Sequence, residues 1–158
     1  RAPDAMRTWH DLGPHVLSVF LAMFDGAEVE WNTLAAHFEG HGARVLFSVL
    51  SRDGRTIDCD LVTRNATESP LHVRYFQFNE YPINVTEGRS AEGDYRAAIE
   101  TRDGVREEDD FMRVLIREFL EGKTVSTEAA LKNLELMTRM AEAGRAVLNE
   151  QTRPRPAE

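Results

Sequence analysis

Apolar positions recur along this chain with two periods: three to four residues at both ends, and two in the middle. From about Leu12 to Phe24, Val16, Val19, Phe20 and Met23 make one helical stripe, which Leu17, Leu21 and Phe24 widen. Asp11 fits the N-cap of this helix, Pro14 its first turn, and Asp25-Gly26 its exit. From Ala27 to Gly104 the pattern alternates. Strands are predicted over Val29–Phe38, Arg44–Leu50, Arg55–Thr63 and Leu71–Phe78. A kinked piece around Tyr81-Pro82 leads to Ile83–Val85, and a last strand spans Asp94–Glu100. Asp53-Gly54 is the clearest hairpin connection. The end of the chain is helical again. Phe111, Val114, Leu115 and Phe119 share one spacing between Asp110 and Leu120, and Glu107–Asp110 reads as acids at that helix's N-terminus. A last helix starts near Ser126-Thr127-Glu128, with Ala130, Leu134, Met137, Ala141, Gly144 and Leu148 as its stripe.

Helix, strand meander, two helices is an α+β order. Short connections demand antiparallel pairing, so the expected fold is an open, mostly antiparallel sheet of five or six strands with helices on one face. Residues 1–150 read as one domain and 151–158 as a tail. Several strands are apolar on both faces: Leu46 and Leu50 opposite Val45, Phe47 and Val49, and Phe76 and Phe78 opposite Val73 and Tyr75. One helical layer covers one face only. The other is expected to pack on a second copy, giving a homodimer or higher oligomer.

The formal net charge of −8 removes nucleic acid and anionic membranes from the expected partners, since both need clustered Lys and Arg. The longest apolar run, Val16–Phe24, is interrupted by Ser18 and is too short to cross a bilayer. No signal-peptide pattern opens the chain, which points to the cytoplasm. Without one, the sequons at Asn65 and Asn84 carry little weight. The single cysteine, Cys59, cannot form an intrachain disulfide, and its alternation with Ile57 and Leu61 marks it as a buried thiol. The chain lacks an initial Met and enters a core helix almost at once, so it reads as a piece of a longer polypeptide.

Candidate chemistry gathers at the first helix. Asp11 and His15 stand four residues apart, close enough for a carboxylate to orient an imidazole or raise its basicity. The same pattern also fits a capping acid and a histidine at the edge of a core. Trp9 and His10, just before them, are candidate substrate contacts; Trp9 would either stack on a sugar face or anchor the N-terminal segment. His10, Asp11 and His15 lack the H-E-x-x-H spacing and have no companion His or Cys cluster, so no metal site is expected. His37 and His41 flank a turn and read as solvated.

Asp11-Leu-Gly-Pro-His15, the meander, and the ending Asp110-Phe111 … Phe119-Leu-Glu-Gly122 … Val125-Ser-Thr-Glu128-Ala-Ala-Leu131 … Ala143-Gly144 together resemble the C-terminal domain of the Gfo/Idh/MocA oxidoreductases. The resemblance covers nearly the whole chain. It implies the substrate-binding and dimerisation domain of an NAD(P)-dependent dehydrogenase acting on a sugar, polyol or sugar-derived substrate. It further implies His15 as the proton-transfer residue and Asp11 as its orienter or a substrate ligand. No G-x-G-x-x-G and no Glu-Lys-Pro occurs in the sequence. An N-terminal Rossmann domain is therefore absent from this chain, no cofactor is expected on it, and NAD or NADP belongs to the intact enzyme. The glycines that usually precede the D-x-G-x-H segment are replaced by Met6-Arg-Thr-Trp-His10. The alternative is a non-catalytic ligand-binding or dimerisation module.

Overall fold

The computed structural model describes residues 4–65, 73–89, 92–123 and 126–151. The elements are α1 (Asp4–Met23), β1 (Glu28–Glu39), β2 (Gly42–Leu50), β3 (Thr56–Arg64), β4 (Val73–Phe78), β5 (Tyr81–Arg89), β6 (Tyr95–Thr101), β7 (Gly104–Asp109), α2 (Phe111–Leu120) and α3 (Thr127–Gln151). The class is α+β. Within the span expected as one domain lie two compact units, residues 1–66 with 126–158, and residues 67–125. Leu71 and His72 of the fourth expected strand, Thr67 of one sequon, and positions 152–158 of the expected tail lie outside the described residues, as do the side chains of Val73, Phe111 and Leu148.

The strands form two antiparallel sheets, ordered β1-β2-β3 and β4-β5-β6-β7, instead of one continuous meander. Connection length is the reason. Two-residue turns join Glu39 to Gly42, Phe78 to Tyr81 and Thr101 to Gly104, and such turns force neighbouring strands to pair. The link from Arg64 to Val73 is long enough to leave the first sheet, and the order breaks there.

In the first unit α1 and α3 pack on one face of the sheet. That face carries Ala36 and Phe38 from β1, Ala43, Val45, Phe47 and Val49 from β2, and the partly buried Ile57, Cys59 and Leu61 from β3. Against it stand Ala5, Met6, Trp9, Leu17 and Phe20 from α1, with Leu136, Met140 and Ala141 from α3. The opposite face is more polar than its sequence suggested. Arg44 bridges Asp60 across β2 and β3 at 2.6 Å, and Ser48 donates to Asp58 at 2.8 Å. Leu50 and Val62 are exposed among them.

Three boundaries differ from the sequence reading. The first helix begins at Asp4, so Asp11 is not its N-cap and Pro14 lies in its interior. A proline there costs about 3 kcal/mol. Full burial of Trp9, Leu17 and Phe20, at roughly 2 kcal/mol each, outweighs that cost and carries the helix across it. On α3 the buried line runs through Leu136, Met140, Ala141 and Gly144, while Ala130 and Leu134 of the expected stripe face outward. Glu107, Glu108 and Asp109 belong to a seventh strand; Asp110 alone caps α2, accepting from the Met112 N–H at 2.9 Å.

β1 also carries an irregularity that alternation did not signal. Its register with β2 shifts between Glu30 and Ala35. Thr33 fills the gap, donating its hydroxyl to the Glu30 carbonyl at 2.7 Å and accepting from the Ser48 N–H at 2.8 Å.

In the second unit the register places Phe76, Ile83, Val85 and Ile99 on one face across β4, β5 and β6. Val85 and Ala97 are buried. Helix α2 follows β7 directly, and Arg117 bridges back to Asp109 at 2.8 Å.

Candidate functional site

The side of α1 that faces the core is fixed by ring packing and side-chain hydrogen bonds. Trp9 is fully buried, and its indole N–H donates to the Met137 carbonyl of α3 at 3.1 Å. Its ring meets Phe38 of β1 edge to face, with centroids 6.0 Å apart and planes at 87°. A β-carbon on Gly13 would stand 3.0 Å from Trp9 Cδ2, so residue 13 is glycine because the indole occupies its side-chain space. No face of the Trp9 ring is left for a ligand. The stacking role is corrected to an anchoring one.

One turn further on, Pro14 is used rather than merely tolerated. Its carbonyl accepts from Ser18 Oγ at 2.8 Å and from Asn133 Nδ2 at 2.9 Å, and Asn133 Nδ2 also donates to Ser18 Oγ at 2.8 Å. This closed triangle ties α1 to α3 beside the candidate pair. Asn133 and Ser18 are the residues that the sequence did not single out. The available signal was an amide lying one turn from Leu136 and Met137 on a helix that otherwise packs apolar atoms.

Asp11 and His15 lie on the opposite, exposed side of α1, one turn apart. No hydrogen bond or ion pair joins their side chains. His10 is exposed as well, on the same helix. Three polar side chains therefore stand on the free surface of a helix whose other side is locked. An imidazole so placed is open to a bound hydroxyl.

The remaining candidates contribute less. Burial, and secondarily the charge of Asp58, pushes the Cys59 thiol up to about 11, which suits a packing residue and not a nucleophile. Among the described residues no three His, Cys, Asp or Glu side chains gather as a metal site. No helix among them is long and apolar enough to cross a membrane. In comparisons with known proteins, no family model, curated protein or solved structure matches this chain.

Proposed function

We propose that this chain is the substrate-side domain of an NAD(P)-dependent oxidoreductase for a sugar or polyol, with His15 as the proton-transfer residue. The supporting observation is the placement of Asp11 and His15: both exposed, one turn apart, on a helix immobilised from behind by Trp9 and Asn133. A proton-transfer group has to reach its substrate while its backbone stays fixed, and α1 meets both conditions. His15 takes the hydroxyl proton during alcohol oxidation and returns it during reduction. The resemblance makes Asp11 an orienter of His15 or a substrate ligand, and His10 offers a further hydrogen-bonding group to the substrate. No residue of this chain is assigned to the nicotinamide; when bound to its own domain, that group supplies the hydride chemistry.

The substrate class and the cofactor come from the resemblance of Asp11-Leu-Gly-Pro-His15 and Ala143-Gly144 to the Gfo/Idh/MocA domain. Both glycines also have packing duties here, under Trp9 and Phe38. A second reading, a non-catalytic ligand-binding or dimerisation module, is favoured by a different observation: α2 leaves a large apolar face uncovered. The deciding experiment examines the reading frame upstream of residue 1 for G-x-G-x-x-G and Glu-Lys-Pro. The encoded protein is then assayed on a panel of sugars and polyols with NAD and NADP. Turnover on members of the panel supports the dehydrogenase. A reading frame without the dinucleotide motif, or a protein inert on the whole panel, favours the module.

A further inference from the structure

We propose that Asp103-Gly104, at the turn between β6 and β7, is a site of spontaneous aspartate isomerisation in the folded chain, and that Ser51 and Arg55 close the same reaction at Asp53-Gly54, between β2 and β3. The proposal is independent of the dehydrogenase reading. Both turns read Arg-Asp-Gly, at Arg52-Asp53-Gly54 and at Arg102-Asp103-Gly104. Each lies within one compact unit. The reaction needs only the Asp-Gly dipeptide. The glycine nitrogen attacks the aspartate Cγ and loses its proton, and one carboxyl oxygen leaves as water. The new C–N bond closes a five-membered succinimide. Water then adds to the original main-chain carbonyl and its C–N bond breaks, so the chain runs on through Cβ and Cγ as isoaspartate. The product is an isomer, with no atom gained or lost and no electron transferred. Glycine favours the attack because no side chain crowds the nitrogen.

The reaction passes through Cγ, so the groups that hold the carboxyl decide between the two turns. At Asp53 both oxygens are engaged, Oδ1 by the Ser51 hydroxyl at 2.5 Å and Oδ2 by Arg55 Nε at 2.7 Å. The Gly54 N–H is committed to the Ser51 carbonyl at 2.9 Å. Ser51 is itself fixed across the turn: its Oγ accepts from the Arg55 N–H at 3.1 Å, and its own N–H donates to the Arg55 carbonyl at 2.9 Å. The hydrogen bond from Ser51, ahead of the charge of Arg55, also holds the Asp53 carboxyl below the usual carboxylate range. An ionised carboxylate is a poor target for a nitrogen nucleophile. The Arg55 pair is exposed and weak alone, which makes Ser51 the principal hold. At Asp103 the Tyr81 hydroxyl donates to Oδ2 at 2.6 Å, and the Asp103 N–H donates to Thr101 Oγ1 at 3.2 Å. Among the described residues no cation pairs with this carboxylate. Turning Cγ toward the glycine nitrogen therefore breaks the Tyr81 bond at one turn and both the Ser51 and Arg55 bonds at the other. Isomerisation at residue 103 adds a main-chain carbon to the two-residue turn that pairs Thr101 with Gly104, and so loosens the β6-β7 ladder from its end.

The test stores the chain in warm, mildly acidic buffer with and without concentrated urea. Isoaspartate is then read at each turn by peptide mass spectrometry with electron-transfer fragmentation. In the folded wild type it is expected to accumulate several-fold faster at residue 103 than at residue 53. In urea the two rates are expected to converge, because the dipeptide and the residue before it are the same. Ser51→Ala is expected to raise the rate at residue 53 to that at residue 103 while leaving residue 103 unchanged, and Arg55→Gln to raise it by less. Should Ser51→Ala fail to fold, Arg55→Gln carries the test. An intact Asp103, equal rates in the folded wild type, a difference that persists in urea, or a rate at residue 53 that neither variant raises overturns the proposal.

Discussion

The ring of Phe38 occupies the space where a side chain at residue 144 would stand: a β-carbon on Gly144 would fall 1.8 Å from Phe38 Cε2. Strand β1 and helix α3 thus touch through a bare backbone, and Trp9 closes on the same ring edge to face. This junction sets the distance between α3 and the sheet, and through Trp9 it sets the seat of α1.

Gly144→Ala is therefore expected to destabilise the chain, although alanine normally strengthens a helix. The helical gain is about 1 kcal/mol, and overpacking against a ring held by Trp9 costs up to ~3 kcal/mol. Urea unfolding should show a lower midpoint with an unchanged slope. A midpoint equal to or above the wild type would contradict the packing described.

Asn133→Ala removes the two ties that Asn133 makes to α1, to the Pro14 carbonyl and to Ser18. The bonds are partly exposed, so the expected loss is about 1 kcal/mol in unfolding free energy. The more telling effect is local. Amide hydrogen exchange should accelerate over the middle of α1, around His15 and Ser18, more than over β2. Uniform acceleration across both elements would mean that the triangle stabilises the fold without holding the helix.

Cys59 links burial to pH. Its thiol titrates near 11 in the folded chain, against 9.0 ordinarily. The folded state therefore keeps its proton over a range in which the unfolded state loses it. Stability is full below pH 9, falls as the pH rises toward 11, and then levels off. Urea midpoints measured from neutral to strongly alkaline pH should show this decline in the wild type and less of it in Cys59→Ala. At mildly alkaline pH, alkylation of the folded protein should run roughly a hundredfold slower than that of a free thiol. Equal alkylation rates would contradict the burial of Cys59.

Strands β2 and β3 were legible because each alternates against a single covered face, and Asp53-Gly54 marks the turn between them, with Gly54 at φ +80°. The start of α1 was not legible. Gly13-Pro14 has the composition of a boundary, and only the indole over Gly13 and the bonds to the Pro14 carbonyl explain its place inside a helix. On α3 two overlapping stripes share Ala141 and Gly144 at helical spacing. The rings of Trp9 and Phe38 choose the one containing Leu136 and Met140, and long-range packing of that kind leaves no local signal. At the site, the spacing of Asp11 and His15 was readable and their shared exposure followed from it. That no bond joins them was not readable from spacing. Trp9 was assignable only once its surroundings were known.

The most direct test of the account concerns His15. If the reading frame encodes the proposed nicotinamide-binding domain, His15→Asn in that full-length protein should leave the fold, the melting temperature and KM for its substrate close to wild type. It should lower kcat by roughly a hundredfold or more and remove the corresponding limb of the pH–rate profile. Wild-type turnover and an unchanged pH profile in His15→Asn would contradict the assignment and leave His15 as a solvated residue on the outer face of α1.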